Sequence, residues 1–408
     1  MGKLVVASYC STFLKPEMLH IYRQVKSLRQ ITTFVMTKKV ENAERFPFDD
    51  IEQIPRPHTN LLRHGWMKFV ERRPPLIYRG EHQLLVSILA RRHADMMHIY
   101  FGHSGVHLLP FIREWNRPCV VSFHGFDVAK NQKIDDYPGK LRVLFDSIPI
   151  VLARSRSLAD RLVRFGCPAQ KIRINRTGIP LDEFPFTRRE FPRDGAWRVL
   201  QACRLIDKKG VASAIRAFAI FAVKFPKSEF VIAGKGPLQS QLEALAERLN
   251  IANRVQFCGF LSQKDLRSLY HQSHLFVHPS ETPADENQEG VPNSILEAMA
   301  TGLPVIATRH GGIAEAVTEN VNGYLSEEQD WDNLAQSMIT LASSPELYAR
   351  FSHAAREAVA KNFDQDRTIR ELERTYEEII AVRARHELSR RKVAAHVPAP
   401  LIEEAVAK

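Results

Sequence analysis

The 408 residues contain no uninterrupted apolar run long enough for a bilayer-spanning helix, so a membrane-spanning chain is not expected. The opening MGKLVVASYC is too short and strand-like for a signal peptide, and Val6 stands where a myristoylation motif wants Ser or Thr. A cytoplasmic location is the expectation. Cysteine is sparse. Cys10, Cys119, Cys167, Cys203 and Cys258 are scattered, odd in number and without CxxC spacing, which argues against a disulfide framework or a zinc site. No acidic cluster suggests a bound metal, no repeat of solenoid period recurs, and the first strand lacks a glycine-rich dinucleotide fingerprint.

Positive charge is abundant, but only in one half. Lys and Arg against Asp and Glu give 31 minus 18, or +13, for residues 1–190, and 26 minus 28, or −2, for the remainder, summing to the net +11. The basic half therefore needs an anionic partner: a membrane surface, a phosphorylated acceptor or nucleic acid. No nucleic-acid-binding motif accompanies the charge, so nucleic acid is not expected. Residues 63–93 mix Arg63, Lys68, Arg72, Arg73, Arg79, Arg91 and Arg92 with Trp66, Phe69, Leu76, Ile77, Leu84, Leu85 and Ile88. That mixture suits a surface resting on anionic headgroups, and equally a pair of amphipathic helices facing a core.

The length suggests two domains. KLVVASY, TTFVMT, MMHIYF, PCVVSFH and PIVLARS are β-rich runs separated by helical patterns; WRVLQACR, EFVIAGKG, RVQFCGF, HLFVHPS and PVIATRHG form a second such series. The alternation predicts an α/β fold of two doubly wound, Rossmann-like domains with the site in the cleft between them. FTRREFPRDGAW breaks the rhythm and places the boundary at 190/191. The charged run from residue 365 predicts a helix to about 390, with 391–408 as a frayed tail.

EGVPNSILEAMATGLPVIAT holds two carboxylates eight residues apart, Glu289 and Glu297, around a helix start. With Pro292 at the first helical position, Val291 becomes the cap and offers no acceptor, so the first N–H groups stay open to an anion such as a diphosphate. Carboxylates beside a phosphate site make sense if they grip sugar hydroxyls. The structural alternative is a capping box, Ser294 to Glu297.

This stretch, with the following HGGIAEAV, closely resembles the E-x7-E signature of the retaining glycosyltransferases of family 4, or group 1, which have the GT-B fold. Upstream, CRLIDKKG resembles that family's G-R-L-x-x-x-K-G with Cys203 in place of glycine, and IAGKGP its G-x-G-P turn; the likeness covers residues 196–325. The resemblance implies that Arg204, Lys209 and the backbone of Gly290, Val291, Pro292 and Asn293 hold the donor diphosphate. It implies Glu297 on the ribose, Gly234 and Gly236 near the nucleotide, and Glu289 and His124 against the transferred sugar. Domain 191–364 would take the nucleotide-sugar donor; domain 1–190, completed by the helix of 365–390, would take a lipid-linked or anionic acceptor, with Ser11, Thr12 and Asp127 as acceptor-side candidates. After the first strand, CSTFLKPEM lacks the glycine pair of many relatives and is similar to a turn of bacterial surface-polysaccharide glycosyltransferases. Two cations and a helix N-terminus could stabilise the departing diphosphate, so neither metal nor cofactor is expected.

The competing expectations are a GT-B epimerase or phosphorylase, a catalytically idle GT-B subunit, an NAD-dependent oxidoreductase and a non-catalytic anion- or nucleic-acid-binding protein. An idle subunit is expected to lose Glu289, Arg204 or Lys209, and all three are present.

Overall fold

The computed structural model describes residues 2–15, 18–55, 61–128, 134–284 and 288–395. Its first sheet comprises β1 (Val5–Tyr9), β2 (Thr32–Thr37), β3 (Ile51–Gln53), β4 (Met96–Tyr100), β5 (Cys119–Phe123), β6 (Ile150–Ala153) and β7 (Ile172–Ile174). They lie in the order β3-β2-β1-β4-β5-β6-β7, all parallel. The second sheet comprises β8 (Arg198–Ala202), β9 (Glu229–Ala233), β10 (Val255–Gly259), β11 (Leu275–His278), β12 (Val305–Thr308) and β13 (Gly323–Ser326). Their order is β10-β9-β8-β11-β12-β13, again parallel.

Strands β4 and β5 are buried throughout because helices cover both faces of the sheet, and for that reason they read as unbroken apolar runs. In each sheet the strand order reverses beside the first strand, between β1 and β4 and between β8 and β11. Such switch points open a crevice at the carboxyl ends of the strands. The short edge strands β3, β7 and β13 are not legible in the sequence, being three or four residues long.

The domain join differs from expectation. Ile179 and Phe184 already pack in the second domain's core with Leu200, Phe276 and Leu303. The polar stretch near 190 is a loop inside that domain: Phe191 is pinned edge-on to Trp197, ring centroids 5.1 Å apart. The chain crosses between domains where the Ile179 N–H donates to the Phe363 carbonyl at 2.8 Å and the Gln365 N–H to the Ile179 carbonyl at 3.1 Å.

From there the helix Gln365–Ala395 returns to the first domain, laying Leu372, Tyr376 and Ile379 on Val6, Met96, Val120 and Leu152. Each such apolar side chain is worth about 1.5–3 kcal/mol. Glu373 fixes its register by accepting the Arg29 and Gln30 N–H groups, both at 2.7 Å. The helix runs to Ala395, past the expected fraying point at 390, and residues 396–408 lie outside the described residues.

The stretch 63–93 divides. Leu76, Leu85 and Ile88 are buried in the first domain's core, so for them the membrane expectation gives way to ordinary packing. The helix Leu61–Phe69 does the opposite, leaving Trp66 59%, Phe69 72% and Val70 56% exposed. Among the described residues no helix is long and apolar enough to cross a membrane. All five cysteines are free thiols.

Candidate active site

The helix Asn293–Ala300 begins one residue later than expected, with Pro292 as its cap rather than its first residue. No side chain caps it. The Ile295 and Leu296 N–H groups return to the Pro292 carbonyl, so among the described residues those of Asn293 and Ser294 have no backbone partner. Open donors and the positive end of the helix dipole together favour an anion at this end.

Glu289, just ahead of this end, is fixed through its backbone: its N–H donates to His310 Nε2 at 3.1 Å and its carbonyl accepts the Gly312 N–H at 3.2 Å. Its carboxylate lies 2.9 Å from Lys209 Nζ and 3.1 Å from Lys208 Nζ. Burial alone would raise its pKa, but Lys209 and Lys208 outweigh that and hold it well below the ordinary carboxylate range. The carboxylate is ionised and pre-oriented.

The lysines come from the turn after β8. Gly210 ends that turn at φ +56, where a side chain would strike the Pro279 carbonyl. Arg204 at the start of the turn is exposed, with no side-chain partner among the described residues, and is available to an anionic ligand. Gly234 and Gly236 let the turn after β9 close against Cys203 and Leu205: a Cβ on Gly234 would lie 1.7 Å from the Cys203 carbonyl oxygen. Their role here is this close approach.

Glu297 does not form the capping box. Its Oε1 accepts from Arg23 Nη1 of the first domain at 2.9 Å, and its Oε2 accepts from the Tyr270 hydroxyl at 3.2 Å. Arg23 also donates to Gln263 at 3.1 Å. The expected ribose carboxylate is thus closed by a buried ion pair that bridges the domains.

On the facing side, His124 follows β5 and lies 3.1 Å from His20 and 3.0 Å from the Ser122 hydroxyl. Burial, then the nearby Arg154, holds both histidines neutral, with pKa values well below the ordinary one. The next residue, Gly125, brings the first domain against the loop of Glu289, for a Cβ there would stand 3.0 Å from the Gln288 carbonyl oxygen. A small pocket lies at this junction, lined by Gly125, Arg161, Gln288, Glu289 and Gly290. Asp127 corrects the sequence expectation. It is fully buried, and its carboxylate accepts the N–H groups of Gly102, His124 and Gly125 at 2.8–2.9 Å, so it builds the His124 loop instead of meeting an acceptor. Ser11 and Thr12 follow β1 and are both half-buried; Thr12 and Phe13 pair as a two-strand ribbon with Lys39 and Val40.

Buried neutral histidines tie stability to pH. Burial, and for His98 the neighbouring Arg154, lowers the pKa of His98 to about 3, and burial followed by Lys209 lowers that of His278 to about 3. Unfolded, both take up a proton near pH 6.5; folded, they do not. Stability is therefore full above pH 6.5 and falls below it by about 1.4 kcal/mol per pH unit for each group, down toward pH 3. Melting temperatures measured between pH 7.5 and 5 should fall on the acid side; a flat profile would contradict this burial.

Comparison with known proteins decides the family. The model described as "Glycosyl transferases group 1" matches residues 183–358, and that of "Glycosyltransferase Family 4" matches residues 39–183. The amylovoran biosynthesis glycosyltransferase of Erwinia amylovora is 31% identical over 281 residues, covering 68% of this chain and 69% of its own. The putative colanic acid biosynthesis glycosyltransferase of Escherichia coli K12 is 30% identical over 283 residues, with the same coverage. The chain belongs to the group 1 glycosyltransferases. Its fold is the GT-B fold: HepE of Anabaena, solved with UDP and with UDP-glucose, superposes with a TM-score of 0.72 over 92% of this chain and 100% of its own, at 19% identity.

The candidate site thus gathers Glu289, Lys209, the open helix end and, through Gly125, the His124 loop. Sequence reasoning missed Lys208, Arg23, Tyr270, His20 and His310. Lys208 had a signal, the doublet with Lys209. The others are separated from their partners by long stretches of chain. Among the described residues no three His, Cys, Asp or Glu side chains gather as a metal site.

Proposed function

We propose that this glycosyltransferase works with retention and without a metal, moving a sugar from a nucleoside diphosphate to an acceptor hydroxyl during surface-polysaccharide or glycolipid assembly. The observation that carries the reading is the pairing of Glu289 with Lys208 and Lys209 beside an uncapped helix N-terminus. The bond from the anomeric carbon to the diphosphate breaks, its electron pair leaves on the diphosphate, and the acceptor oxygen bonds in its place while its proton is released. Lys209, Arg204 and the N–H groups of Asn293 and Ser294 are the donors for the departing charge. Glu289 and the neutral His124 would face the sugar. The relatives named for amylovoran and colanic acid biosynthesis support the polymer context, and the complexes of HepE support a uridine diphosphate donor class.

The test is product analysis. Incubated with nucleotide sugar and acceptor, the enzyme should give a linkage with the donor's anomeric configuration by NMR, and transfer should survive EDTA. An inverted product removes the retaining assignment; loss of activity rescued by magnesium removes the metal-free one.

The acceptor reading includes a membrane surface at the cytoplasmic face. Trp66, Phe69 and Val70 stand out from the first domain beside Arg63, Lys68 and Arg72, all exposed. Exposed aromatic and basic side chains on one short helix suit the headgroup region. Vesicles containing anionic lipid should sediment the protein at low salt, and Trp66→Ala with Phe69→Ala should reduce this without affecting nucleotide binding. Charge reversal at Arg63 and Lys68 should cost about 1 kcal/mol per basic residue. Equal sedimentation with neutral vesicles, or none at all, favours a soluble phosphorylated acceptor.

A further inference from the structure

A second pocket lies beside the cleft, toward the crossing at Ile179 and Asp364. It opens to solvent and is walled by His20, Arg23, Arg154, Arg176, Thr177 and Gln365. It adjoins the sugar-side wall, since His20 meets His124 at 3.1 Å, and a Cβ on Gly290 would lie 4.0 Å from that of Arg154.

Its charge is not balanced. Arg23 is matched by Glu297 and Arg176 by Glu315, at 2.9 and 3.0 Å. Arg154 is only 7% exposed, meets the Thr177 hydroxyl, and has no carboxylate partner among the described residues. His20 is held neutral and contributes no charge. Three guanidiniums against two carboxylates leave one buried positive charge. Arg176 Nε is also buried without an acceptor. Burial draws the pKa of Arg154 down to about 10, against a smaller opposing pull from the Tyr100 phenol and with no carboxylate beside it. A buried cation without a counter-charge is costly, and so is a buried donor without an acceptor. A fold that keeps both at one pocket is completed by an anion.

We propose that this pocket binds an oxyanion of phosphate type, with Arg154 as its principal ligand and Arg176 and the Thr177 hydroxyl beside it. Two sources share this chemistry: a phosphate carried by the acceptor, or the donor's diphosphate reaching across from Gly290. The oxyanion assignment stands on the pocket's own charge. Only the choice of source rests on the glycosyltransferase reading, so binding measured without any transfer assay separates the two.

Inorganic phosphate is the probe, titrated by calorimetry into the full chain, alone and after saturation with whichever of UDP, GDP and ADP stabilises it. Phosphate should bind the wild type, about tenfold or more weakly to Arg154→Gln, and with intermediate strength to Arg154→Lys. Without anion, Arg154→Gln should melt no lower than the wild type, because the variant loses an unmatched charge; Arg154→Lys keeps the test open if the glutamine variant folds poorly. Phosphate binding that persists beside saturating nucleotide and still depends on Arg154 assigns the site to an acceptor phosphate. Phosphate binding abolished by nucleotide, with nucleotide itself weakened by Arg154→Gln, assigns it to the donor diphosphate. No phosphate binding through the millimolar range, or equal binding by wild type and Arg154→Gln, overturns the proposal.

Discussion

Lys209→Ala should lower kcat/KM for the nucleotide sugar about a hundredfold or more while the protein stays folded. The size follows from the charge that the lysine would meet, since removing one preorganised donor to a developing negative charge costs about 2.7–4 kcal/mol of transition-state stabilisation. Folding should survive because Lys208 remains 3.1 Å from Glu289, so the buried carboxylate keeps one cation. Arg204→Ala should cost less, about tenfold in donor binding, because Arg204 is exposed and offers a solvent-weakened charge-assisted bond. The order of the two effects is the informative quantity. If Lys209→Ala folds and turns over as the wild type does, Lys209 serves only as the counter-ion of Glu289 and the diphosphate site lies elsewhere.

The contrast between these neighbouring cations shows what the amino-acid order carries. β4 and β5 are legible because a parallel sheet covered on both faces turns burial into continuous apolar runs, and those runs survive as MMHIY and CVVSF. The turn from Arg204 to Gly210 is legible because a local contour of the backbone demands glycine at its end. Asp127 misleads for an equally physical reason: a carboxylate near a strand end looks the same in sequence whether it faces substrate or accepts three backbone N–H groups. The domain join near Ile179 leaves no mark, since an apolar residue that changes cores carries no change of composition. Arg23 and Arg154 could not be found at all. Each reads as a surface charge until the packing of two domains buries it.

The largest expected effect on stability belongs to the pair that sequence could not show. Arg23 donates to Glu297 at 2.9 Å with both side chains nearly excluded from water, and Tyr270 takes the second carboxylate oxygen at 3.2 Å. Removing one partner of such a pair strands the other, which costs about 3–5 kcal/mol. Glu297→Ala and Arg23→Ala should each destabilise by about that amount in urea unfolding, and the double variant by much less than the sum, because it strands neither charge. The two single variants should part company on ligand binding. Under the proposed role, Glu297 must reach ribose hydroxyls, so Glu297→Ala should weaken nucleoside diphosphate binding. Arg23→Ala instead frees the carboxylate from its domain-bridging partner, and nucleotide should bind as tightly as to the wild type or tighter, despite the lower stability. A residue serving only as a structural counter-ion would give the same nucleotide affinity in both variants. Opposite shifts from two partners of one ion pair would mean that opening this bridge between the domains is part of admitting the donor.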